Sequence, residues 1–258
     1  LSGATFRRKA KMKIRLICWN SVVRCLFRGI HRQSAGKSAI IEAMPLSQKQ
    51  QYILTGLLLG DGCLERKSRN SRLQVKQSVH KKEYVFWLHD QFSDFVRTPP
   101  QQRSDTGQWY FSTRSVPQFE TWNGVFYKNR KKIVPKNIAQ LLSSPITLAV
   151  WFMDDGSLDY REKSHYAFTY STDAFSVKEV SLLQKSLLEN FGIESTIQTP
   201  KSRGKKYTKL YIGQRGRDRF IKIISPHILS CFAYKLPPQY SLTPQRLILR
   251  KSERLSTQ

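Results

Sequence analysis

Two aspartates, Asp61 and Asp155, carry the strongest chemical signal in the sequence, because each follows an apolar run and is followed by a glycine. The runs, residues 52–59 and 146–153, have the composition of short buried helices. A carboxylate at the buried end of such a helix is costly to desolvate unless it has a cation, hydrogen-bond donors or access to water. One Asp-Gly pair is an ordinary helix end, whereas two in equivalent positions indicate a functional pair.

Two such helices packed side by side would bring both aspartates to one end, where their negative charges repel. A divalent metal removes this conflict. Oxygen ligands without a nearby His or Cys favour Mg²⁺ over zinc. Mg²⁺ held by carboxylates activates water and offsets charge on a phosphate, so the pair predicts phosphodiester hydrolysis.

The charge balance favours nucleic acid as the partner. The 258 residues include 44 Lys and Arg against 18 Asp and Glu, a formal net charge of +26, and the pI is about 10.2. Such self-repulsion is tolerable mainly when a polyanion supplies counter-charge. The apolar runs are too short for a membrane-spanning helix, so we expect no membrane partner. The four cysteines lack metal-ligand spacing, which predicts neither zinc nor disulfides and a reducing compartment.

Local signals predict where the helices begin. Ser47 with Gln50, and Ser176 with Glu179, have the spacing of capping boxes, and Ser144 precedes a proline that favours a first helical turn. The first apolar helix is expected to close at Gly62 and the second at Gly156. Further helices are expected at residues 82–97, 116–127 and 177–191, the last with Val177 on its apolar face.

Strand patterns alternate with these helices. Residues 72–79 alternate polar and apolar side chains, the period of a half-buried strand. Strand-like segments are also expected at residues 109–114, 166–171, 193–198 and 207–212. The order helix, strands, helix, strands, helix therefore occurs twice, and the chain is expected to contain two similar halves.

Four segments resemble the LAGLIDADG homing endonucleases. Residues 54–62 and 148–156 resemble the two signature helices of that family, and the resemblance covers roughly residue 47 to the C-terminus. Residues 131–135, KKIVP, and 234–237, YKLP, look like segments of its monomeric, intron-encoded organellar branch.

The resemblance implies an α+β fold in which two pseudo-symmetric αββαββα repeats form a saddle over DNA. The expected parts are a basic N-terminal extension at residues 1–44, a first repeat at 45–142 and a second at 143–258. The implied activity is Mg²⁺-dependent cleavage of both strands of double-stranded DNA at a long, nearly asymmetric site. It leaves short 3′ overhangs and promotes intron mobility, Mn²⁺ can replace Mg²⁺, and the protein is a monomer.

Site residues follow from the matching motif positions. The carboxylates of Asp61 and Asp155 would ligate the metals, with the carbonyls of Gly60 and Asp154 as extra ligands, and Lys132 and Lys235 would flank the scissile phosphates. Basic and amide side chains on the expected strands and loops would contact DNA. They are Arg66, Lys67, Arg69, Arg72, Gln74 and Lys76 in the first half, and Lys201, Arg203, Lys205, Lys206 and Lys209 in the second.

One departure concerns the second signature helix, which has Val150 and Asp154 where the first has Gly56 and Gly60. Glycines four apart allow close helix packing, so the helix crossing and the sharing of metals stay open at this point.

Several alternatives remain at the level of sequence. An RNA maturase that assists intron splicing is the competing function on the same scaffold, with intron RNA as partner; both acids and both lysines favour an active nuclease. Residues 1–44 are basic and fit a transit-like sequence, an upstream extension before Met44, or a disordered nucleic-acid arm. The resemblance implies an organellar location, mitochondrion or chloroplast, and a nuclear gene with a transit peptide stays open.

Overall fold

The computed structural model describes residues 44–240 apart from 68, 163, 164 and 203, and the side chains of Lys67 and Ser202 are also not described. Residues 1–43 of the expected N-terminal extension, 1–44, and also Arg203 therefore lie outside the described residues. The described residues belong to one compact unit, Ile41–Gln258. Within them, no helix is both long enough and apolar enough to cross a lipid bilayer.

The first half is built as a four-stranded antiparallel sheet covered by helices. Its sheet, called here the first sheet, has the strand order β1-β2-β4-β3. The elements in chain order are α1 (Gln48–Leu59), β1 (Cys63–Lys67), β2 (Asn70–Gln77), α2 (Lys82–Gln91), β3 (Gln101–Gln102), β4 (Trp109–Ser112) and α3 (Pro117–Phe126).

A short connector joins the halves. It contains a two-stranded hairpin and one turn of helix, namely β5 (Tyr127–Lys128), β6 (Lys131–Lys132) and α4 (Ile138–Leu141). The hairpin turns at Asn129 and Arg130, both with positive φ (51° and 63°), a conformation that suits the right-handed twist of paired strands.

The second half repeats the plan of the first. Its second sheet has the order β7-β8-β12-β9, which matches the order of the first sheet element by element. The elements are α5 (Pro145–Asp155), β7 (Gly156–Arg161), β8 (His165–Ser171), α6 (Val177–Phe191), β9 (Thr196–Gln198), β10 (Lys201–Ser202), β11 (Lys205–Lys206), β12 (Lys209–Ile212) and α7 (Arg217–Ile224). Strands β10 and β11 form a separate hairpin. The fold is α+β, as expected.

Helices α1 and α5 form the centre of the core, because both are buried on every side over most of their length. Their buried residues include Ile53, Leu57, Val150, Trp151 and Phe152, all at most 1% exposed. Both sheets pack their apolar rows towards the helices. In β2 the predicted alternation is present, with the odd-numbered Leu73 and Val75 buried. Both predicted capping boxes are present, at Ser47 and Ser176, and Pro145 opens α5.

Two helix ends and the burial of one side chain differ from expectation. Helix α1 ends at Leu59, not at Gly62, because the backbone of Gly60 leaves the helical conformation, with φ −103° and ψ −137°. Helix α2 ends at Gln91 rather than residue 97, and Phe95 reaches the core from a 3₁₀ turn, Ser93–Phe95. Val177 is 50% exposed, because it is the first residue of α6 and lies beyond the packed part of that helix.

Candidate active site and nucleic-acid interface

Helices α1 and α5 cross at very short range, because glycines lie at both points of contact, Gly56 within α1 and Gly60 directly after it. A Cβ atom on Gly56 would lie 2.8 Å from the Val150 Cβ, and one on Gly60 would lie 2.5 Å from the Asp154 Cβ. Carbon atoms in contact lie ~3.5–4.0 Å apart, so neither position admits a side chain. Val150 and Asp154, where the second motif departs from the glycines of the first, therefore occupy the space beside Gly56 and Gly60.

The crossing brings the acids at the two helix ends together. The Asp61 N–H donates to Asp154 Oδ2 over 3.2 Å. Sequence reasoning placed Asp61 and Asp155 at buried helix ends, but Asp61 is exposed and Asp155 is partly buried. The buried acid is Asp154, at 8% exposure, because its side chain points across the crossing towards α1.

Gln77 is a site residue that the sequence analysis missed. Its Nε2 donates to Asp61 Oδ2 over 3.1 Å and to Asp154 Oδ1 over 3.4 Å. The side chain is buried at the end of β2, so it links one acid from each motif. A signal was present in the sequence, because Gln77 is the polar member of the apolar row that contains Leu73 and Val75.

Burial and mutual repulsion govern the ionisation of these acids. Burial, followed by the charge of Asp61, raises the pKa of Asp154 well above its usual range. Burial, again followed by the Asp61 charge, raises the pKa of Asp155 to about 6. The Tyr84 hydroxyl is buried beside Asp154, and burial followed by the Asp154 charge raises the pKa of this hydroxyl as well. Burial and the repulsion between the acids therefore make their charged forms costly unless a cation is present.

Lys132 and Lys235 occupy equivalent positions at the ends of the two central helices. Lys132 Nζ donates to the Gly60 carbonyl over 2.6 Å and to the Gly62 carbonyl over 2.9 Å. Lys235 Nζ donates to the Met153 carbonyl over 2.7 Å, with longer bonds to the neighbouring carbonyls of Phe152 and Asp154. Cations are favourable at helix C-termini, where carbonyls are unpaired.

The environment of both ammonium groups lowers their proton affinity. Burial lowers the pKa of Lys132, and burial together with the charge of Lys81 lowers that of Lys235 to about 8. The nearby acids oppose both shifts. Each helix end thus combines a carboxylate with a desolvated lysine that is poised to interact with an anion.

The donor set at the site consists of oxygen atoms. Within the described residues, no three His, Cys, Asp or Glu side chains form a ready metal site. The carboxylates of Asp61 and Asp155 are available, whereas the predicted ligand carbonyls of Gly60 and Asp154 accept hydrogen bonds from the lysines. Mg²⁺ is commonly held by one or two carboxylates with water and substrate phosphate completing its shell, and this donor set fits that pattern.

On the first sheet, strand alternation sorts the predicted basic residues between two faces. Arg72, Gln74 and Lys76 lie on the face opposite the buried row of β2. Arg69 is exposed in the turn before β2. Arg66 lies on the same side of β1 as the buried Leu64 and forms an ion pair with Glu120 of α3 at 3.3 Å. It therefore does not share a face with Arg72. Only the backbone of Lys67 is described.

The comparisons with known proteins agree with this architecture. A family model described as the LAGLIDADG DNA endonuclease family matches residues 51–220. The chain belongs to this family. It is 26% identical to "Probable intron-encoded endonuclease 1" of Wickerhamomyces canadensis, over 74% of this chain and 85% of the relative. It is 29% identical to "Cytochrome b mRNA maturase bI2" of Debaryomyces hansenii, over 74% of this chain and 75% of the relative.

A solved structure also resembles this LAGLIDADG protein. The structure of the homing endonuclease I-WcaI bound to its DNA recognition sequence matches with a TM-score of 0.68 and 25% identity, covering 83% of this chain and 97% of the other. The expected fold class and family are thus confirmed. As a member of this family the protein is a homing endonuclease, a hydrolase that cleaves DNA.

In the second repeat of this endonuclease, the predicted lysines fall in two places. Lys201, Lys205 and Lys206 are exposed on the β10–β11 hairpin. Lys209 begins β12, where its Nζ pairs with Asp173 at 2.7 Å and bonds Ser171 at 3.1 Å.

Strand register identifies further residues on the exposed face of the second sheet that the sequence analysis did not single out. Arg161 pairs with His165 across β7 and β8, and Tyr211 pairs with Thr169 across β12 and β8. The Tyr211 hydroxyl lies 3.3 Å from His165 Nε2. Their positions depend on hairpin register, which composition alone does not give.

Proposed function

We propose that this protein is an intron-encoded homing endonuclease that cuts both strands of double-stranded DNA at a long site, with Mg²⁺ as its cofactor and 3′ overhangs in its product. The observation that carries this proposal is the meeting of the two motif helices, whose ends place Asp61 and Asp155 near enough for the charge of one to raise the pKa of the other. Each helix leads directly into the first strand of a sheet.

The roles of the acids follow from their ionisation. Asp61 and Asp155 would hold divalent cations through their carboxylates, and Mn²⁺ would substitute for Mg²⁺ because both take oxygen ligands. Such cations activate water and stabilise charge on the attacked phosphate and the leaving oxygen. Gln77 fixes the orientation of Asp61 by donating to Oδ2, and the neighbouring Asp154 holds the Asp61 backbone in place.

Lys132 and Lys235 supply positive charge beside the scissile phosphates. Each is anchored by main-chain carbonyls at the end of one motif helix, so its position requires little reorganisation when DNA binds. A preorganised cation is most effective where charge develops during the reaction. Two equivalent lysines in one chain support one reaction centre per strand.

The partners follow from the same arrangement. Both motifs are in one chain and their helices pack against each other, which supports a monomer acting on duplex DNA. Contacts to phosphate and base edges come from the exposed Lys76 and the partly buried Arg72 and Gln74 of the first repeat, with the exposed Lys201 and Lys205 of the second. An organellar location, mitochondrion or chloroplast, is proposed because a relative is named as intron-encoded.

The test is cleavage of a plasmid library of intronless insertion junctions in the presence of Mg²⁺. We expect linear product with 3′ overhangs, no cleavage in EDTA, and recovery with Mn²⁺. Asp61→Asn and Asp155→Asn should bind the selected site but leave it uncut, whereas Asp94→Asn, a change at an exposed acid away from the crossing, should cut normally. Full cleavage by either site variant would contradict the assignment.

RNA maturase activity is the second candidate, and the observation that favours it is the 29% identical relative named as a maturase. A maturase on this scaffold would bind its intron RNA tightly and accelerate splicing. If the protein binds intron RNA and leaves every DNA junction intact, the maturase becomes the primary function.

A further inference from the structure

Glu65 is an acid on a surface where most of the polar side chains are basic groups or amides. It lies on β1 directly opposite Arg72 of β2 in the antiparallel register, and both side chains lie on the exposed face of the first sheet. An acid here repels DNA phosphate, so its presence needs a reason other than affinity.

The contacts of Glu65 supply that reason. The Glu65 Oε2 atom accepts a hydrogen bond from Arg72 Nε over 2.6 Å and lies 2.5 Å from Arg72 Nη2. It also accepts a hydrogen bond from Gln74 Nε2 over 2.8 Å. One carboxylate oxygen therefore fixes two side chains that alternate on the same strand. Arg72 is 25% exposed and Glu65 is 41% exposed, so the network remains accessible from the cleft above it.

The network fixes which atoms each side chain presents to a ligand. Glu65 holds the edge of the Arg72 guanidinium that carries Nε. The opposite edge, which carries Nη1, is therefore turned away from the acid. A carboxylate only accepts hydrogen bonds, so the Gln74 amide must turn its NH₂ group towards Glu65. Gln74 then presents its carbonyl oxygen and one N–H hydrogen outward.

These presented atoms match particular bases. In the major groove a guanidinium edge pairs with the O6 and N7 acceptors of guanine, and an amide pairs with the N6 donor and N7 acceptor of adenine. Residues two apart on a strand are separated by about 6.6–6.8 Å, which is about twice the 3.4 Å rise of one base pair.

We propose that Glu65 is a specificity-determining residue that orients Arg72 to read guanine and Gln74 to read adenine about two base pairs away. Glu65 is a positioning residue, since it acts through the other two side chains. The inference rests on the proposed DNA-binding function of this face and names part of the site that it recognises.

A neighbouring acid provides a matched control. Asp105 lies on the β3–β4 connection, where it pairs with Arg103 at 2.6 Å, and both residues line the same cleft, of about 760 Å³, as Arg72 and Gln74. Asp105→Ala, like Glu65→Ala, removes one negative charge near Arg72 and Gln74, but it leaves the hydrogen bonds of Glu65 unchanged.

The experiment is selection of bound sequences from a randomised duplex library in EDTA, followed by sequencing. Arg72→Ala and Gln74→Ala locate the two base pairs, where wild type should prefer guanine and adenine by roughly 5- to 150-fold. Glu65→Ala should lower both preferences to about twofold or less, admit guanine at the Gln74 position and raise non-specific affinity. Glu65→Gln should have an intermediate profile.

The controls separate positioning from charge. Asp105→Ala should raise non-specific affinity in the same way but leave both base preferences intact. In the Arg72→Ala background, Glu65→Ala should cause no further change at the guanine position. The inference alone is overturned if wild type selects a defined site and Glu65→Ala keeps the same profile. If wild type selects no site, the proposed function fails as well.

Discussion

Gly60, which directly follows α1, and Asp154 of α5 meet at the helix crossing, where a Cβ on the glycine would lie 2.5 Å from the aspartate Cβ. The contact explains two features together. The absence of a side chain on Gly60 lets Asp154 reach the Asp61 N–H, and the same approach brings the ends of both motif helices together. Packing and active-site geometry therefore depend on the same residues.

The close crossing predicts that Gly56→Ala is strongly destabilising. The added methyl would lie 2.7 Å from the Thr147 carbonyl oxygen and 2.8 Å from the Val150 Cβ, and these backbone and branched atoms cannot move away locally. Overpacking of this kind costs about 1–3 kcal/mol or more. Urea unfolding followed by circular dichroism should show the loss in the free energy of unfolding.

Gly124→Ala is the matched control, because Gly124 lies in α3 and a Cβ there would meet no atom within 4 Å. It should be neutral or stabilise by up to about 1 kcal/mol, since alanine is the better helix former. Val150→Ala should partly rescue Gly56→Ala in a double-mutant cycle. Equal effects of the two glycine substitutions would show that the crossing is looser than the structure has it.

The raised pKa of Asp155 predicts pH-dependent stability in metal-free buffer. Because the folded-state pKa, about 6, exceeds the ordinary value of about 3.9, the folded state binds more protons between these values. The contribution of Asp155 to stability is therefore fully present below about pH 4 and is lost as pH rises through 6. The free energy of unfolding should fall by about 2 kcal/mol between pH 4.5 and 7 on this account.

Asp155→Asn should remove that component, and urea unfolding of both proteins across this range in EDTA measures the difference. The range from pH 4.5 to 7 lies below the pKa of Lys235, which is about 8, so this lysine stays mostly protonated throughout it. Asp94→Asn, at an exposed position, should keep the wild-type slope. A wild-type slope in Asp155→Asn would mean that another group carries the pH dependence.

The paired lysines predict strand-selective defects. Lys132 contacts the end of α1 and Lys235 the end of α5, so each serves one of two equivalent centres. Lys132→Met should slow cutting of one strand by about 10²–10³-fold, the usual cost of losing one preorganised donor. On a supercoiled plasmid carrying the site, nicked circles should accumulate in place of linear product.

Lys131→Met tests whether charge alone matters, because Lys131 is the exposed neighbour of Lys132 on the same hairpin strand. It should still produce linear DNA. Lys235→Met should nick the opposite strand, which end-labelled duplexes resolve. Equal slowing of both strands by either lysine variant would contradict separate centres.

The sequence predicts those parts of the molecule that are determined locally. The capping boxes at Ser47 and Ser176 depend on residues three apart, and the alternation in β2 is a property of one strand. Both could therefore be predicted, as could the family from its two motifs.

Contacts between distant segments are what the sequence leaves undetermined. The bond from Gln77 to Asp154 joins residues 77 positions apart, and the pairing of Glu65 with Arg72 depends on the register of a hairpin. Arg66 is a further example. Its basic side chain suggests DNA binding, but the alternation of side chains along β1 places it on the side of Glu120. A polar residue in an apolar row, as at Gln77, is the type of local signal that points to such a contact.

The basic hairpin of the second repeat predicts the salt dependence of DNA binding. Lys201, Lys205 and Lys206 are exposed there, and a lysine that neutralises a phosphate releases a counterion when DNA binds. Each Lys→Gln change should lower the magnitude of the slope of log K against log salt by about 0.9, and the triple variant by about 2.7. Fluorescence anisotropy with a labelled duplex at about 50 to 200 mM salt measures the slope. Lys185→Gln is the control, because Lys185 lies on α6 and pairs with Glu189 at 3.6 Å; it should leave the slope unchanged. An unchanged slope in the triple variant would instead mean that DNA does not contact this hairpin.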